Sequence, residues 1–185
     1  LEWLKAHATK ASLDGMARYA IPSDNALGVA VRDIKALGKE LAAFVGEPDR
    51  ITAKEMGAWC SELDNWAYCD TLCFHLFDRT PHAWAKVRQW SGAEAEFVKR
   101  TAFALLWSLT VHDKQASDPP FLEGLKLIER EARDERNFVT KAVNMALRAV
   151  GKRNAAAREA AIEVAGRLAA SDNAAARWVG KDALR

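Results

Sequence analysis

The feature that most constrains the fold of this chain is an internal repeat with a period near 40 residues. The segment that begins at Phe97 reads FVKRTAFALL, and the segment that begins at Phe138, 41 residues later, reads FVTKAVNMAL. The last seven residues continue the pattern, since VGKDALR from Val179 resembles AVNMALR from Ala142 at an offset of 37. This period is typical of solenoids, in which each repeat is one supersecondary unit that stacks on the next.

Helical spacing of apolar residues indicates that each repeat is a pair of α-helices. In NFVTKAVNMALRAVG the apolar residues form one stripe: Phe138, Val139, Ala142, Val143, Ala146, Leu147 and Val150. Alternating β-branched runs are absent from the sequence, so we expect no sheet. The sequence therefore predicts an all-α fold, a HEAT-like or armadillo-like superhelix of about nine or ten helices that forms one domain over residues 1–185.

Capping residues and glycines mark several predicted helix ends. Proline follows a capping residue at Thr80-Pro81 and at Asp118-Pro119-Pro120, which favours helix starts there. Predicted ends are at Gly46, Gly92 and Gly151. The Ala-rich segment NAAAREAAIEVAGRLAAS is a strong helix former, which we expect to pack on or cap the solenoid.

Positive charge is concentrated in the last part of the chain. The whole chain carries a net charge of +2, whereas residues 136–185 contain ten basic and four acidic side chains and carry +6. Residues 1–135 therefore carry −4. A basic C-terminal part favours an anionic partner, and nucleic acid is the commonest, although a solvated basic surface has the same composition.

Cysteine content and hydropathy restrict the compartment. Three cysteines argue against a disulfide framework and for a reducing environment. Cys69 and Cys73 share a helix face, but no second Cys/His pair completes a four-ligand site, so we expect buried thiols and no metal. No stretch approaches the roughly 20 apolar residues that span a bilayer. We expect a cytoplasmic, nucleoid-associated protein, and further sequence before Leu1, which lies within an amphipathic pattern.

One predicted helix, Leu63 to Phe77, pairs an indole with a carboxylate. Trp66 and Asp70 are four residues apart, which brings both side chains to one face of a helix. From these residues alone, the simpler interpretation is that Trp66 belongs to the core and that Asp70 caps the helix or pairs with a neighbouring arginine.

A basic strip is predicted opposite the apolar stripe of the second repeat. Its members recur at three- and four-residue steps: Lys141, Asn144, Met145, Arg148 and Lys152. In the preceding repeat the same phase holds Lys99, Arg100, Phe103 and Trp107. Basic side chains interleaved with aromatic ones suit a phosphate backbone and the bases behind it. Packing against the next helix is an equally good interpretation of Phe103 and Trp107, and a solvated face is the alternative for the strip.

Four segments, in this order along the chain, carry a resemblance to a known family. They read MARYAIPSDNALGVAVRDIKALGKEL from Met16, LDNWAYCDTL from Leu63, EFVKRTAFAL from Glu96 and NFVTKAVNMALRAVGKRN from Asn137. Together they resemble the AlkD-type DNA alkylation-repair glycosylases, a HEAT-like repeat family. A single Trp-x-x-x-Asp would mean little, but four ordered segments over most of the chain are fairly specific.

The resemblance implies roles for three residues and an activity. Trp66 and Asp70 match the family's tryptophan and catalytic aspartate, and Arg100 matches the arginine near that aspartate and the DNA backbone. Family members excise N3- and N7-alkylated purines without drawing the base into a pocket. The resemblance therefore implies a monomeric DNA-3-methyladenine/7-methylguanine-type glycosylase that binds alkylated double-stranded DNA in its concave face and needs no cofactor.

Two departures from the family pattern affect these expectations. The family has a second tryptophan in NWALR, where this chain has Met145 in NMALR, so a flat indole becomes a flexible thioether. With Lys141 and Arg148, Met145 is still expected to contact the lesion or the DNA. Family members also carry roughly one more helix pair between Glu40 and Leu41. Either that helix pair is deleted in this protein, or the sequence joins two ends that flank the pair. We favour the second explanation, because the loss of half a repeat within a solenoid would expose two apolar faces.

Hydrolysis of a cationic alkylpurine nucleotide needs one carboxylate. The base is already charged and leaves without protonation, so an ionised Asp70 is enough to stabilise the oxocarbenium-like sugar and orient a water. Trp66 would face the cationic sugar, and Arg100 would hold a phosphate and keep Asp70 ionised. The alternative is a non-catalytic DNA- or protein-binding HEAT-repeat module. Convergence of the three on an open cleft favours the enzyme, and a buried, ion-paired Asp70 favours the module.

Overall fold

A computed structural model describes Gly38 and residues 42–185, and this part of the chain contains α-helices and no strand. The helices are α1 Ala53–Ser61, α2 Trp66–His75, α3 Ala83–Ser91, α4 Glu96–His112, α5 Pro119–Glu131, α6 Asn137–Gly151, α7 Ala155–Ala169 and α8 Ala174–Ala183. Short 3₁₀ turns lie at Pro48–Arg50 and Phe77–Arg79. None of the helices in this region is long and apolar enough to cross a membrane. The predicted all-α class is confirmed.

The helices are arranged in two layers. Helices α2, α4, α6 and α8 pack side by side, and we call them the B layer. Helices α3, α5 and α7 form an A layer that covers one face of the B layer, while α1 packs against α4. The successive pairs α3/α4, α5/α6 and α7/α8 stack on one another, as predicted for a solenoid of helix pairs.

The sequence repeat corresponds to the starts of the B-layer helices. Helices α4, α6 and α8 begin at residues 96, 137 and 174, so the offsets of 41 and 37 carry each start onto the next. The repeat-equivalent residues Phe97 and Phe138 contact each other, with ring centroids 5.4 Å apart. The fifth residues of α2, α4, α6 and α8 are therefore equivalent positions, and we call them the fifth-position row: Asp70, Arg100, Lys141 and Trp178.

Helix α2 is shorter than the helix predicted for Leu63 to Phe77. It begins at Trp66, because the side chain of Asn65 accepts a hydrogen bond from the backbone N–H of Ala67 at 2.7 Å and caps the helix. It ends at His75, before the 3₁₀ turn. The cap fixes Trp66 as the first helical residue.

The other predicted helix ends are partly right. The start predicted at Thr80-Pro81 is wrong, because the Thr80 hydroxyl donates to the carbonyl of Phe77 at 2.8 Å and α3 begins only at Ala83. Helix α5 begins at the predicted proline after Asp118, and the Ala-rich helix is α7. The three predicted glycine ends also hold, since helical structure stops within one residue of Gly46, Gly92 and Gly151.

An apolar core lies between the layers and contains the three cysteines. Phe103 is fully buried, which confirms the packing interpretation for that residue. Cys69 and Cys73 are fully buried, as predicted, and Cys60 is fully buried as well. Burial raises the pKa of the Cys60 thiol to about 12 and that of Cys69 to about 11. In the described ranges, no group of three or more acidic, His or Cys side chains is placed to hold a metal ion.

Two sequence-based expectations lie outside the described residues. The family-like segment that begins at Met16 belongs to the part of the chain before residue 42. The junction between Glu40 and Leu41, where a further helix pair is expected, also lies there.

Candidate active site and nucleic-acid interface

The candidate site is at the first turn of α2. Trp66, the first residue of the helix, is 51% exposed, so its interpretation as a core residue is wrong. Asp70 follows one turn later on the same helix face. An exposed indole and a carboxylate therefore lie side by side.

Asp70 forms an ion pair with Arg100 of α4. The Nη2 group of Arg100 donates to both carboxylate oxygens, at 2.9 and 2.8 Å, and Nη1 donates to the carbonyl oxygen of Phe138 at 3.0 Å. Only 4% of the Arg100 side chain is exposed, against 18% of the Asp70 side chain. A single arginine thus joins α2, α4 and α6, and Asp70 keeps a small opening to solvent.

Trp66, Asp70 and Arg100 lie close together in the structure, while the open cleft expected around them stays a prediction. The Cζ atom of Arg100 lies 5.8 Å from the centroid of the Trp66 ring, in cation–π contact. Arg100 was expected to contact a phosphate, but its guanidinium is not exposed. Nη1 and Nη2 donate hydrogen bonds within the protein, and Nε is buried without a partner in the described region. Arg100 therefore acts on Asp70 and Trp66 in this structure.

The charge state of Asp70 depends on two opposing effects. Burial raises the pKa of the carboxyl group above its usual value of 3.8, whereas the charge and hydrogen bonds of Arg100 lower it. Burial is the larger effect. Arg100 is consequently the group that favours the ionised carboxylate.

A cavity of about 450 Å³ lies between α4 and α6, further along the B layer. Its walls include Trp107 of α4 and Met145 of α6, and Trp107 packs on the edge of Phe74 with ring centroids 4.5 Å apart. Arg148 of α6 also lines it, together with Lys114 and Lys152, which follow the ends of α4 and α6. Met145 therefore faces an open, basic hollow.

Three cations of the predicted basic strip are exposed on α6 or just after its last residue. Lys141 and Lys152 form no ion pair with the described part of the chain. Arg148 pairs with Asp182 of α8 at 3.1 Å, and 45% of its side chain remains exposed. The two lysines, which have no ion pair in the described region, and the partly exposed arginine are thus available to an anionic partner.

Two predicted members of the basic surface are buried instead. Asn144 is 5% exposed, and its Nδ2 donates to the carbonyl oxygen of Val179 at 3.2 Å, which joins α6 to α8. The ammonium group of Lys99 lies 2.6 Å from Glu131 and 3.1 Å from Asp134. Helical phase placed them correctly about their own helix axes, but neighbouring elements cover both.

Sequence patterns missed an aspartate–histidine pair beside Phe74. The Nδ1 atom of His112 lies 2.5 Å from Oδ2 of Asp78, whose side chain is fully buried. The ring of His112 packs against Phe74 in an edge-to-face arrangement. Burial raises the pKa of Asp78, which the hydrogen bond from His112 opposes. No sequence signal joins residues 34 positions apart in two different elements.

Trp178 was also missed, although the repeat pointed to it. It is 44% exposed on α8 and lies in the fifth-position row. The offset of 37 that relates Ala142 to Val179 also relates Lys141 to Trp178. The repeat therefore relates Trp178 to Lys141, but a lysine and a tryptophan are too different in chemistry for the sequence alone to indicate a shared role.

Comparison with known proteins agrees with this architecture. The sequence model of one family, described as DNA alkylation repair enzyme, matches residues 46–185. No curated protein matches the chain. A solved structure, described as "a new family of proteins related to the HEAT-like repeat DNA glycosylases with affinity for branched DNA structures", is similar with a TM-score of 0.62 and 14% identity. The likeness covers 98% of this chain and 91% of that one, and it shows that the fold is of the HEAT-like repeat type.

The family match includes the candidate site. Residues 46–185 contain Trp66, Asp70 and Arg100 together with every helix of the B layer described above. The match also extends over well more than half of the chain. This protein therefore belongs to the DNA alkylation repair enzyme family.

Proposed function

We propose that this protein is a DNA glycosylase that hydrolyses the N-glycosidic bond of cationic N3- or N7-alkylpurines in duplex DNA. The observation that carries the proposal is the cluster at the first turn of α2: a partly exposed carboxylate, Asp70, between an exposed indole and a buried arginine. Family membership supports a repair reaction on DNA. A DNA substrate also fits the cytoplasmic, nucleoid-associated location expected from the sequence.

Asp70 is the proposed catalytic carboxylate. As the bond between C1′ and the purine nitrogen breaks, the electron pair leaves with the base and neutralises its positive charge. The sugar becomes cationic, and a carboxylate close to C1′ stabilises it electrostatically. Asp70 also accepts the proton of the water whose oxygen bonds to C1′. The base needs no general acid, so one carboxylate is sufficient.

Trp66 and Arg100 are proposed to support Asp70 from opposite sides. The exposed indole of Trp66 offers a π-face to the cationic sugar. Arg100 is a positioning residue, because it holds both carboxylate oxygens and opposes the effect of burial on the pKa of Asp70. This role replaces the phosphate contact expected from the sequence.

The DNA backbone is proposed to follow the exposed face of the B layer. Lys141 and Lys152 are about 16 Å apart along α6, and Arg148 lies between them. Cations spaced in this way contact successive phosphates of one strand without reading sequence. Met145 lies on the same helix face, where it would meet the nucleotide next to the lesion.

The direct test is an incubation with duplex DNA that contains one 7-methylguanine. We expect abasic sites, scored by strand cleavage in alkali, to form faster than without protein and only at the modified position. The same duplex with guanine at that position is the control. Release at the spontaneous rate would contradict the proposed function.

Met145→Trp is expected to increase the rate of release about threefold or more. The indole would restore a flat aromatic surface against the lesion nucleotide, and the cavity beside Met145 has room for it. The measurement is the single-turnover rate on the same 7-methylguanine duplex. Met145→Leu keeps an apolar side chain without an aromatic face and should leave the rate unchanged, so an equal gain in both variants would contradict the stacking argument.

Arg100→Gln is expected to move the acid limb of the pH–rate profile to higher pH. Burial already raises the pKa of Asp70, and the substitution removes the charge that opposes this effect, so the carboxylate ionises only at higher pH. The measurement is the enzymatic release rate against pH, corrected for spontaneous depurination. Arg100→Lys keeps the charge and should restore most of the shift. If the acid limb of the pH–rate profile lies at the same pH in all three proteins, Arg100 does not control the ionisation of Asp70.

The ion pair also favours a second candidate function, a non-catalytic DNA-binding module. Because Asp70 is paired with Arg100 and mostly buried, it meets part of the criterion for a structural carboxylate. The structural neighbour is described by its affinity for branched DNA, which is a binding property. Tight binding of DNA with no release of 7-methylguanine by either the natural protein or Met145→Trp would establish this second function.

A further inference from the structure

A second cavity lies between the first turns of α6 and α8. Its volume is about 440 Å³, which is within the range of small-ligand sites. Lys141 and Trp178, both in the fifth-position row, form part of its wall, and Glu135 and Asn137 supply polar groups at the edge. Neither the Asp70 cluster nor Met145 contributes to it.

The indole of Trp178 is only partly covered by packing. Its neighbours Ala176 and Val179 are buried and pack α8 on the solenoid, whereas Trp178 is 44% exposed and its side chain makes no hydrogen bond to the described part of the chain. Large aromatic side chains with an exposed face next to polar groups are enriched at binding sites. The exposed face of the Trp178 indole is therefore suited to bind a ligand with a flat surface.

The charges around the cavity select the class of that ligand. Lys141 has no ion pair in the described region, and the first turns of α6 and α8 both line the cavity, so the positive ends of two helix dipoles lie beside it. Glu135 adds a carboxylate that repels a phosphate from its own side but accepts hydrogen bonds from an exocyclic amine. A nucleotide has the required parts, with an anionic phosphate for Lys141 and a flat base for Trp178.

We infer that Trp178 and Lys141 form a second site on the DNA-binding face, which holds an unpaired nucleobase. Bases inside a duplex have both faces covered by their neighbours, so an aromatic side chain in a cavity can stack only on a base that has left the stack. The base stacks on Trp178, its exocyclic amine lies towards Glu135, and the adjoining phosphate contacts Lys141.

This site is distant from the proposed catalytic cluster. Asp70 and Trp178 are in the first and last helices of the B layer, and three inter-helix steps correspond to about 25–30 Å, or roughly eight base pairs of DNA. A second aromatic contact at this distance would anchor distorted DNA independently of the lesion. The inference rests on the proposed function only in requiring that DNA lies along the B layer.

The test compares three fluorescent duplexes by anisotropy: one fully paired, one with a single extra adenine, and one with an abasic spacer in place of that adenine. The abasic bulge bends the backbone equally but offers no base. We expect the natural protein to bind the adenine bulge about tenfold more tightly than the abasic bulge. Trp178→Ala should bind both bulges alike, and Trp178→Phe should keep most of the preference.

Matched variants separate stacking from charge and from folding. Lys141→Gln should weaken binding to all three duplexes by a similar factor and reduce the salt dependence by about one unit of slope. Leu122→Ala changes an exposed apolar residue of α5 in the A layer and should bind as the natural protein does. Far-UV circular dichroism verifies that Trp178→Ala is folded.

Two results would overturn the inference. One is equal binding of the adenine and abasic bulges by the natural protein, and the other is a folded Trp178→Ala protein that keeps the preference. Failure of the proposed catalytic function is a separate outcome, because the bulged duplexes contain no alkylated base and the preference for the adenine bulge is measured as binding, without any release of 7-methylguanine.

Discussion

Replacement of Asp70 by asparagine is expected to reduce the rate of 7-methylguanine release by about 100-fold or more. The amide keeps the shape of the side chain and can still accept a hydrogen bond from Arg100, but it carries no charge to stabilise a cationic sugar. Removal of one preorganised electrostatic group from an active site typically lowers the rate by about 10²–10³-fold. The single-turnover rate on the duplex with one 7-methylguanine measures the effect.

The control for this variant is Asp64→Asn. Asp64 is exposed in the loop just before α2, so its substitution makes the same change in net charge a few residues away. We expect its release rate to match that of the natural protein. Equal rates for Asp70→Asn and Asp64→Asn would show that Asp70 has no catalytic role.

Asp70→Asn also leaves the buried guanidinium of Arg100 without a counter-ion. Loss of one partner from a fully buried pair costs about 3–5 kcal/mol, but Asp70 is 18% exposed, so we expect a smaller cost. The thermal unfolding midpoint should therefore fall. Activity must be compared at a temperature where both proteins are folded, which separates loss of charge from loss of structure.

Gly180→Ala is expected to destabilise the fold by about 3 kcal/mol or more. A Cβ atom at this position of α8 would clash with the backbone nitrogen of Ala169 and would lie 2.5 Å from the backbone oxygen of Ala165. Both atoms belong to the backbone of α7 and cannot move without separating the two helices. Chemical denaturation should show a lower midpoint, and the cavity beside Trp178 should be distorted with it.

Gly166→Ala provides the opposite expectation in the adjoining helix. A Cβ atom at Gly166 of α7 has no neighbour within 4 Å, so the methyl group enters open space. Alanine is favoured over glycine in a helix interior by about 1 kcal/mol, and stability should rise. If both variants changed stability in the same direction, the close contact between α7 and α8 would not be the reason for Gly180.

The repeat made the register of the B layer predictable. A helix fixes the direction of each side chain about its own axis, and equal offsets carry this direction from one repeat to the next. For this reason the sequence placed Arg100 and Lys141 at equivalent positions, and the family-like segments added Asp70 and Trp66. The same reasoning, applied to the offset of 37, leads to Trp178.

What covers each of those positions was not predictable in the same way. Lys99 and Asn144 have the helical phase expected of surface residues, yet Glu131, Asp134 and the carbonyl of Val179 lie against them. These partners are 32 to 35 residues away along the chain. A helical wheel contains no information about which neighbour lies on a given side.

The sequence by itself determined the helix periodicity and the repeat register, because these depend on spacing within one helix and between equivalent repeats. The candidate cluster of Trp66, Asp70 and Arg100 came from the family resemblance of the segments that contain these residues. Only the tertiary structure decided that Arg100 is buried in an ion pair with Asp70, whereas Lys141 and Trp178 are exposed to solvent. The physical reason is that exposure and ionisation depend on the atoms that neighbouring helices bring to a side chain, and that set is fixed by packing between elements distant in sequence.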